Sequence, residues 1–441
     1  MEYVIDRDKV RRVMEQHDIK TQAELAERMG ITKNQMSVLL SPKGNPIKSC
    51  YQKLFDTLSV DPMEILMPKL DRGDDGKARI RKKRLTSCTE DDLCAEFVDT
   101  SKVEAQRRYQ SVELFAGAGG LALGLEQAGF KAVGLVEIDK YAAETLRRNR
   151  PGWNVIEEDV IKVAETGILS YLPEGCGEID FVSGGYPCQA FSYAGKKLGL
   201  EDVRGTMFFY YAKIVEQLRP KVFLAENVRG LLTHDGGRTL RTMLDIYEAM
   251  GYRVETHLVH AVDYGVAQKR ERLIIVGIRA DLDLKYRLPK VYAKKLVLRD
   301  VLKNVPISEG ETYPPKKERV LRLVPPGGYW RNLPDDIARE YMGKSYFSGG
   351  GRTGMARRIS WDEPCLTLTC SPAQKQTERC HPDETRPFTV REYARIQSFP
   401  DEWQFSGAVS QQYKQIGNAV PVELAKAIGL SVVDVLNRAE G

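Results

Sequence analysis

One cysteine has neighbours that suit nucleophilic chemistry. Residues 181–193 have the sequence Phe-Val-Ser-Gly-Gly-Tyr-Pro-Cys-Gln-Ala-Phe-Ser-Tyr, and residues 179–183 are predicted to form a short buried strand. Two glycines then let the backbone pass close to another group, and Pro187 fixes the chain direction before Cys188. A thiol at the carboxyl end of a strand lies where open α/β sheets bind ligands. A lone cysteine is more often a buried structural residue, so the other motifs have to decide.

Other charged side chains adjoin predicted core strands. Glu226 follows the apolar residues 222–225, whereas Arg270 and Arg272 precede the apolar residues 273–276. Because side chains alternate along a strand, arginines two residues apart are expected to point the same way. Surface ion pairing is the alternative for one of them, but their position directly before a core strand favours a functional site.

A glycine-rich turn opens the same region of the chain. Residues 112–115 are predicted to form a strand that leads through Gly117, Gly119 and Gly120 into a helix at residues 121–128. Residues without side chains admit a ligand against the backbone N–H groups at a helix N-terminus. The pattern is weak evidence alone, because many nucleotide-binding folds share it.

Two acids follow the next predicted strands. Glu137 lies in residues 133–138, about 20 residues after the glycine turn, an offset at which an acid typically binds ribose hydroxyls. Asp159 ends a third segment, residues 155–159, and suits the amino group of adenine. The glycine turn and the two acids together predict a pocket for a nucleoside-containing cofactor.

In this order, the motifs resemble those of the cytosine-C5 DNA methyltransferases of bacterial restriction–modification systems. The resemblance covers nearly all of residues 111–441 outside a central insert. Its segments are the Gly-Gly-Tyr-Pro-Cys-Gln-Ala-Phe-Ser run around Cys188, Glu226-Asn-Val, Gln268-Lys-Arg-Glu-Arg272 and residues 412–421.

The resemblance implies methyl transfer to C5 of cytosine. Cys188 would add to C6 as a thiolate and so make C5 nucleophilic, and Glu226 would donate a proton or a strong hydrogen bond to N3. Arg270 would stabilise O2 and help to hold Glu226, while Arg272 would orient the loop or the substrate. The sequence does not identify the base that removes the C5 proton.

The implied cofactor is S-adenosyl-L-methionine. In the resembling family the terminal segment folds back beside the glycine turn, so the pocket would include residues from both ends of the catalytic region. The implied cofactor-binding residues are Phe115, Gly117, Gly119, Gly120, Glu137, Ile138, Asp159, Val160, Pro187, Met207 and Asn418.

The implied substrate is duplex DNA from which the target cytosine flips out, since C6 is inaccessible in a stacked helix. The implied DNA-binding residues of the catalytic region are Gln189, Ser192, Arg204 and Thr367. Thr367 best matches a Thr-Leu pair of the family's recognition domain, although a short β-hairpin gives the same letters. The polar residues most able to read base edges there are Arg352, Arg357, Arg358, Gln374, Lys375 and Gln376.

The first 70 residues resemble the helix-turn-helix of phage-repressor-like regulators. Thr21 and Thr32 are placed as N-caps of two helices, and Gly30 supplies the turn between them. On this interpretation Lys33, Asn34 and Gln35 face the bases or phosphates of promoter DNA, to which such domains bind as homodimers. A small helical dimerisation domain is the alternative.

The composition of the 441 residues excludes few classes of protein. The net charge is only +5, from 66 basic and 61 acidic residues, so affinity for nucleic acid has to come from local patches. No apolar run approaches the roughly 18 residues of a membrane span. Eight cysteines without a Cys-x-x-Cys pair, and five histidines, favour free thiols in a reducing bacterial cytoplasm, at the nucleoid, and no metal site.

The expected fold class is α/β. We expect a Rossmann-like S-adenosylmethionine-dependent methyltransferase domain, an inserted smaller target-recognition domain and an all-α N-terminal domain. The predicted boundaries are 1–70 for the helix-turn-helix domain, 71–108 for a charged linker, 109–279 and 386–441 for the catalytic domain, and 280–385 for the target-recognition domain.

Two other functions fit parts of the sequence. One is an RNA cytosine methyltransferase on the same scaffold, against which the N-terminal domain and the long insert argue. The other is a transcription regulator with an inactive methylase domain. That alternative requires the loss of a catalytic group, yet Cys188, Glu226 and Arg270 are all present.

Overall fold

The structure is a computed structural model of the 441-residue chain. It describes residues 96–187, 206–347 and 352–441, and parts of the N-terminal region: residues 3–5, 10, 13–14, 19, 21–32, 35–36, 39–40, 54, 57–58 and 66–68. The chain divides into two compact units, Met1–Cys94 and Ala95–Gly441. Each unit is described separately below.

The N-terminal unit combines a two-stranded ribbon with helical segments. Strand β1 (Tyr3–Ile5) pairs antiparallel with β2 (Leu66–Pro68), which brings two segments about 60 residues apart in the sequence side by side. Helix α1 (Gln22–Arg28) is the longest described helix of this unit. Its core consists of buried apolar side chains from several segments, among them Val10, Met14, Ile19, Leu25, Ala26, Met29, Met36, Leu39, Leu40, Leu54 and Leu58.

The predicted capping of the N-terminal helices is confirmed at the described residues. The Thr21 hydroxyl accepts a hydrogen bond from the Glu24 N–H, and Gly30 has a positive φ of 60° where the turn requires it. Gln35 lies where a base-reading residue was predicted, yet its side-chain oxygen accepts from the Thr32 N–H at 2.8 Å. That oxygen therefore caps the helix. Lys33 and Asn34 lie outside the described residues.

The catalytic unit begins before the predicted boundary at residue 109. Strand β3 (Glu96–Val98) pairs in parallel with residues Arg287–Pro289. Arg107 donates to the buried Asp180 carboxylate at 2.9 Å. The prediction of a linker through residue 108 is therefore wrong for residues 96–108, because backbone pairing and a partly buried ion pair fix them to the unit. Most of the remaining predicted linker lies outside the described residues.

A seven-stranded sheet forms the centre of the catalytic unit. Its strands are β4 (Tyr109–Leu114), β5 (Phe130–Val136), β6 (Val155–Ile156), β7 (Phe181–Gly184), β8 (Val222–Val228), β9 (Tyr252–His260) and β11 (Glu271–Arg279). Their spatial order is β6-β5-β4-β7-β8-β11-β9, and β11 runs antiparallel to both of its neighbours while all other pairs are parallel. Short strands outside this sheet are β10 (Gln268–Lys269), β12 (Arg287–Pro289) and β13 (Cys365–Leu366).

Helices cover both faces of the sheet, as the nearly continuous apolar composition of its central strands requires. The helices are α2 (Gly120–Gln127), α3 (Lys140–Asn149), α4 (Val160–Thr166), α5 (Met207–Leu218), α6 (Arg238–Ala249), α7 (Leu298–Val301), α8 (Pro315–Arg322), α9 (Asp335–Met342), α10 (Val390–Ile396), α11 (Val409–Asn418) and α12 (Val422–Glu440). Helices α4 to α6 pack on one face of the sheet, and α2 and α12 pack on the other.

The sheet has one topological switch point. The chain leaves β4 for β5 and β6 on one side, and then returns to β7 and β8 on the other. Loops that follow β4 and β7 therefore diverge and leave a crevice at their carboxyl ends, where ligands of open α/β sheets bind. The glycine turn follows β4, and Pro187 follows β7.

The C-terminal segment completes the catalytic unit, as predicted. Helix α12 lies against α2 so closely that a Cβ on Gly124 would be 2.5 Å from the Ala425 Cβ. The Trp403 indole N–H donates to the Ala118 carbonyl in the glycine turn at 3.1 Å. Residues between the two catalytic segments have a core of their own, which includes Tyr313, Leu321, Trp330, Met342, Met355 and Cys380. Among the described residues, no helix is long and apolar enough to cross a bilayer.

Candidate active site

The glycine turn after β4 has a backbone that few side chains tolerate. Phe115, Gly117 and Gly119 all have positive φ, at 58°, 55° and 85°. A positive φ is rare for phenylalanine and costs energy, and such residues cluster at ligand sites. Close neighbours also leave no room for a side chain at two of the glycines. A Cβ on Gly119 would lie 2.7 Å from the Leu146 side chain, and one on Gly120 would lie 2.2 Å from the Val420 carbonyl oxygen. The turn thus brings α2 and its N–H groups to the crevice.

Glu137 lies opposite this turn at the end of β5. Its carboxylate accepts hydrogen bonds from the Gly117 N–H and the Asp139 N–H, both at 2.7 Å. Burial raises the pKa of Glu137, and the two N–H donors oppose that rise. The next side chain, Ile138, is 66% exposed. A carboxylate with spare lone pairs beside an exposed apolar surface suits a ribose and the flat face of a base.

Four further predicted cofactor residues follow β6 or β7 or begin α5, and their contacts differ. Asp159 caps α4 by accepting from the Ile161 N–H at 2.9 Å, so one of its carboxylate oxygens is already engaged. The Val160 side chain packs in the core and is only 5% exposed. Met207 begins α5, whereas Pro187 is exposed after β7.

Glu226 is held at the carboxyl end of β8 by an arginine and a glycine. Its carboxylate forms an ion pair with the Arg272 guanidinium from the adjacent strand β11, and the two side chains are 16% and 12% exposed. A Cβ on Gly185 would lie 2.7 Å from the Glu226 Oε2, so a side chain there would displace the carboxylate. Glu226 is therefore fixed beside the segment that leads to Cys188.

Asn227 fixes the start of that segment. Its buried side-chain N–H donates to the Tyr186 carbonyl at 3.0 Å. Tyr186 is itself buried, and packs edge-on against Phe208 of α5. The contact of Asn227 was not predicted from the sequence, since its partner is a backbone atom 41 residues away. The predicted residues Cys188, Gln189, Ser192 and Arg204 lie outside the described residues.

One predicted contact of the two arginines is wrong. Arg270 was expected to hold Glu226, but its guanidinium donates to the carbonyls of Leu368, at 3.3 Å, and Gly417, at 3.1 Å. The strand breaks between β10 and β11 at Arg270, whose N–H donates to the Gln268 carbonyl. Arg270 therefore does not belong to the strand that carries Arg272, and its guanidinium contacts the two carbonyls instead of Glu226. Burial lowers the pKa of Arg270 to about 9, so it remains a cation at neutral pH.

Thr367 lies near the same carbonyls. Its hydroxyl donates to the Lys269 carbonyl at 2.8 Å, beside the parallel pairing of β10 with β13. This pairing shows that residues 365–366 join a distant strand rather than a local hairpin. Two arginines predicted to read bases are structural instead, because Arg358 donates to the carbonyls of Leu321 and Val324 and Arg357 pairs with Glu363.

Asn418, at the end of α11, is exposed, and the next two residues, Ala419 and Val420, lie against Gly120 of the glycine turn. The Cys370 thiol donates to its Oδ1 at 3.0 Å. Among the described residues, Glu137 after β5 and Glu226 near the end of β8 thus lie at the edge of the sheet where the crevice opens. A sequence model described as C-5 cytosine-specific DNA methylase matches residues 109–434, which is more than half of the chain.

The chain belongs to the C-5 cytosine-specific DNA methylase family. Two bacterial relatives show how far the similarity extends. The methylase is 54% identical over 429 residues to the type II methyltransferase M.Sau96I of Staphylococcus aureus, with 96% of this chain and 97% of that protein covered. It is 58% identical over 354 residues to the type II methyltransferase M.Eco47II of Escherichia coli, with 78% and 83% covered. The methylase is a DNA cytosine-C5 methyltransferase, and S-adenosyl-L-methionine is its methyl donor.

Solved structures agree with the α/β fold of the methylase. A putative DNA modification methyltransferase encoded within an Escherichia coli prophage superposes with a TM-score of 0.54 at 24% identity, covering 75% of this chain and 99% of that one. A mutant form of DNMT2 from Spodoptera frugiperda has a TM-score of 0.53 at 17% identity, covering 76% and 100%. At such identities the likeness concerns the fold alone.

Proposed function

We propose that the methylase is the modification enzyme of a type II restriction–modification system and acts on nucleoid DNA in a bacterial cytoplasm. It would methylate a cytosine within a specific duplex sequence through a covalent bond to Cys188. The observation that carries this proposal is the pairing of Glu226 with Arg272 beside Gly185. It supports the roles of Glu226 as proton donor and Arg272 as cation next to the segment that leads to the thiol.

The residues of the crevice fit S-adenosyl-L-methionine. Glu137 has carboxylate lone pairs left for ribose hydroxyls, and the exposed Ile138 offers an apolar surface to adenine. The N–H groups of the glycine turn and the Asn418 amide suit the carboxylate of the methionine part. When bound, the cofactor supplies an electrophilic methyl group on a sulfonium.

The residues of the chain would act on cytosine in sequence. The Cys188 thiolate forms an Sγ–C6 bond, and the displaced ring electrons activate C5 while Glu226 gives a proton to N3. Arg272 faces the charge that develops on the ring edge near Glu226. After C5 takes the methyl group from the sulfonium, which leaves as S-adenosyl-L-homocysteine, a base removes the C5 proton. The Sγ–C6 bond then breaks as the C5–C6 double bond re-forms, and N3 returns its proton to Glu226.

A substrate comparison tests this function against the RNA alternative. We expect the full chain to incorporate labelled methyl groups from S-adenosyl-L-methionine into duplex DNA, and to leave tRNA unlabelled. Sequencing of 5-methylcytosine in DNA from expressing cells should then give one short recurring sequence. Matched duplexes with the cytosine of that sequence replaced by thymine serve as the control. Methylation of tRNA alone, or of DNA without sequence preference, would contradict the proposal.

For the N-terminal unit we propose promoter binding as a homodimer. The supporting observations are the capped helix α1, the turn at Gly30 and a second helix whose start is capped by Thr32 and Gln35. Since M.Sau96I aligns with 96% of the chain, the similarity extends through most of this unit. Asn34 and Lys33 are the proposed base and phosphate contacts.

Truncation should separate the two activities. A chain that begins at Ala95 is expected to keep methyl transfer, because it retains β3 and the Arg107–Asp180 pair, and to lose promoter binding in a footprinting assay. The matched control begins at Tyr109 and removes both contacts, so its melting temperature should fall. Loss of sequence-specific methylation in the Ala95 variant would instead assign the N-terminal unit to target recognition.

A further inference from the structure

A buried chain of amides joins the Thr367 segment to the cofactor side of the catalytic unit. The Leu368 N–H donates to the Gln268 Oε1 at 3.0 Å, and the Gln268 amide donates to the Gln397 Oε1 at 2.9 Å. Gln397 in turn donates to the Ile416 carbonyl at 2.7 Å. Both glutamines are fully buried. A satisfied buried network of this kind fixes the relative position of the segments it joins.

The backbones of these segments also touch directly. Gly417 lies so close to the other segment that a Cβ there would be 2.4 Å from the Thr369 carbonyl oxygen. Arg270 bridges the two segments through the Leu368 and Gly417 carbonyls, and Tyr393 donates to the Thr369 carbonyl at 2.8 Å. Cys370 and Asn418 therefore face each other across a junction whose geometry is fixed by buried groups.

From this geometry we propose that Cys370 is a positioning residue for cofactor binding, which acts by orienting the Asn418 amide. The proposal rests on the proposed contact of Asn418 with S-adenosyl-L-methionine. A thiol hydrogen can be donated to the amide oxygen, whereas the amide N–H groups would find only the sulfur, a weak acceptor, in the flipped orientation. The bond from the Cys370 Sγ to the Asn418 Oδ1 therefore favours one of the two amide orientations.

That orientation turns the Asn418 N–H groups away from Cys370, where they can donate to an anionic ligand. Both residues are exposed, so the unrestrained amide would rotate in solvent and lose entropy on binding. The thiol removes part of this cost in advance. The junction also links the Thr367 segment, which lies in the predicted target-recognition region, to the cofactor contact.

The test is a double-mutant cycle on cofactor affinity, measured by calorimetry with S-adenosyl-L-methionine and full-length protein without DNA. Cys370→Ala should raise the Kd by about threefold to tenfold, the range for one lost hydrogen bond, while kcat at saturating cofactor stays unchanged. Cys370→Ser keeps a donor and should restore the Kd to within about twofold of the unmodified protein. In the Asn418→Ala background, Cys370→Ala should have no further effect.

Three results would overturn the inference. The first is an unchanged Kd for Cys370→Ala although Asn418→Ala weakens cofactor binding. The second is an equal loss of affinity from Cys370→Ala in the unmodified protein and in the Asn418→Ala background. The third is a Cys370→Ser variant that binds the cofactor as weakly as Cys370→Ala. If Asn418→Ala itself leaves the Kd unchanged, then the cofactor contact of Asn418 fails together with this inference. Glu137→Ala tests the pocket separately, because it removes the proposed ribose ligand and leaves the junction intact. Melting temperatures of all variants distinguish local reorientation from loss of folding.

Discussion

Replacement of Glu226 by Gln should lower kcat by about 10²–10⁴-fold, the range for loss of a positioned proton donor. The amide keeps the shape that fits against Gly185, but it cannot give a proton to the N3 atom of cytosine. It also lacks the charge that pairs with Arg272. The affinity for S-adenosyl-L-methionine should be unchanged, since the substitution leaves Glu137 and its hydrogen bonds with the Gly117 and Asp139 N–H groups in place. Single-turnover methyl transfer on the cognate duplex measures the effect.

Glu271→Gln is the matched control for Glu226→Gln. Glu271 is the neighbour of Arg272 on β11, and it pairs with the half-exposed Arg229 at 2.8 Å. This variant removes the same charge from a surface pair, which contributes little to stability, and should retain nearly full activity. If both variants lost activity equally, or if Glu226→Gln remained active, Glu226 would not be the proton donor.

Cys188→Ser should abolish methyl transfer while duplex binding persists. The serine hydroxyl is far less acidic than a thiol and does not add to C6, whereas phosphate contacts dominate affinity for DNA. With 5-fluorocytosine in the target, the unmodified protein should become covalently trapped. Fluorine at C5 cannot leave as a proton, so the elimination that breaks the Sγ–C6 bond is blocked. Denaturing electrophoresis detects the adduct, and peptide mapping identifies the attached residue.

Cys176→Ser is the control for the trapping experiment, because Cys176 is a half-buried free thiol away from the crevice. It should form the adduct as efficiently as the unmodified protein. Cys188→Ser should form none. An adduct mapped to any other cysteine would remove Cys188 from its proposed role, even if the variant were inactive.

Local patterns predicted much of the catalytic unit, because its central strands are short apolar runs closed by glycine or charged residues. The turn at Gly117–Gly120 was predicted in this way, whereas the return of residues 412–421 to it was implied by the family resemblance. Both are confirmed. Arg270 was predicted to hold Glu226, but Arg272 forms that ion pair. Arg270 is the single residue between β10 and β11, so the alternation of side chains along a continuous strand does not apply to it. The apolar pattern of the sequence does not reveal this interruption.

Contacts between distant residues account for the other errors. Arg358 has the composition of a base-reading residue, yet it is buried and bonded to carbonyls between 23 and 37 residues away. The linker was extended too far because residues 96–98 pair with a strand almost 200 residues later, at 287–289. Such pairings depend on the folded arrangement of the chain, so no local property of these residues indicates them.

The packing of α12 against α2 has a consequence for synthesis. The ribosome extends the chain from its N-terminus, and domains fold as units once their residues have emerged. The glycine turn and α2 emerge early, but Trp403 and Val420, which lie against the turn, and Ala425, which lies against α2, emerge hundreds of residues later. We therefore expect a nascent chain to lack a finished cofactor pocket, and premature termination upstream of α12 to yield no active methylase. Each newly made molecule gains the ability to mark DNA in a single late step.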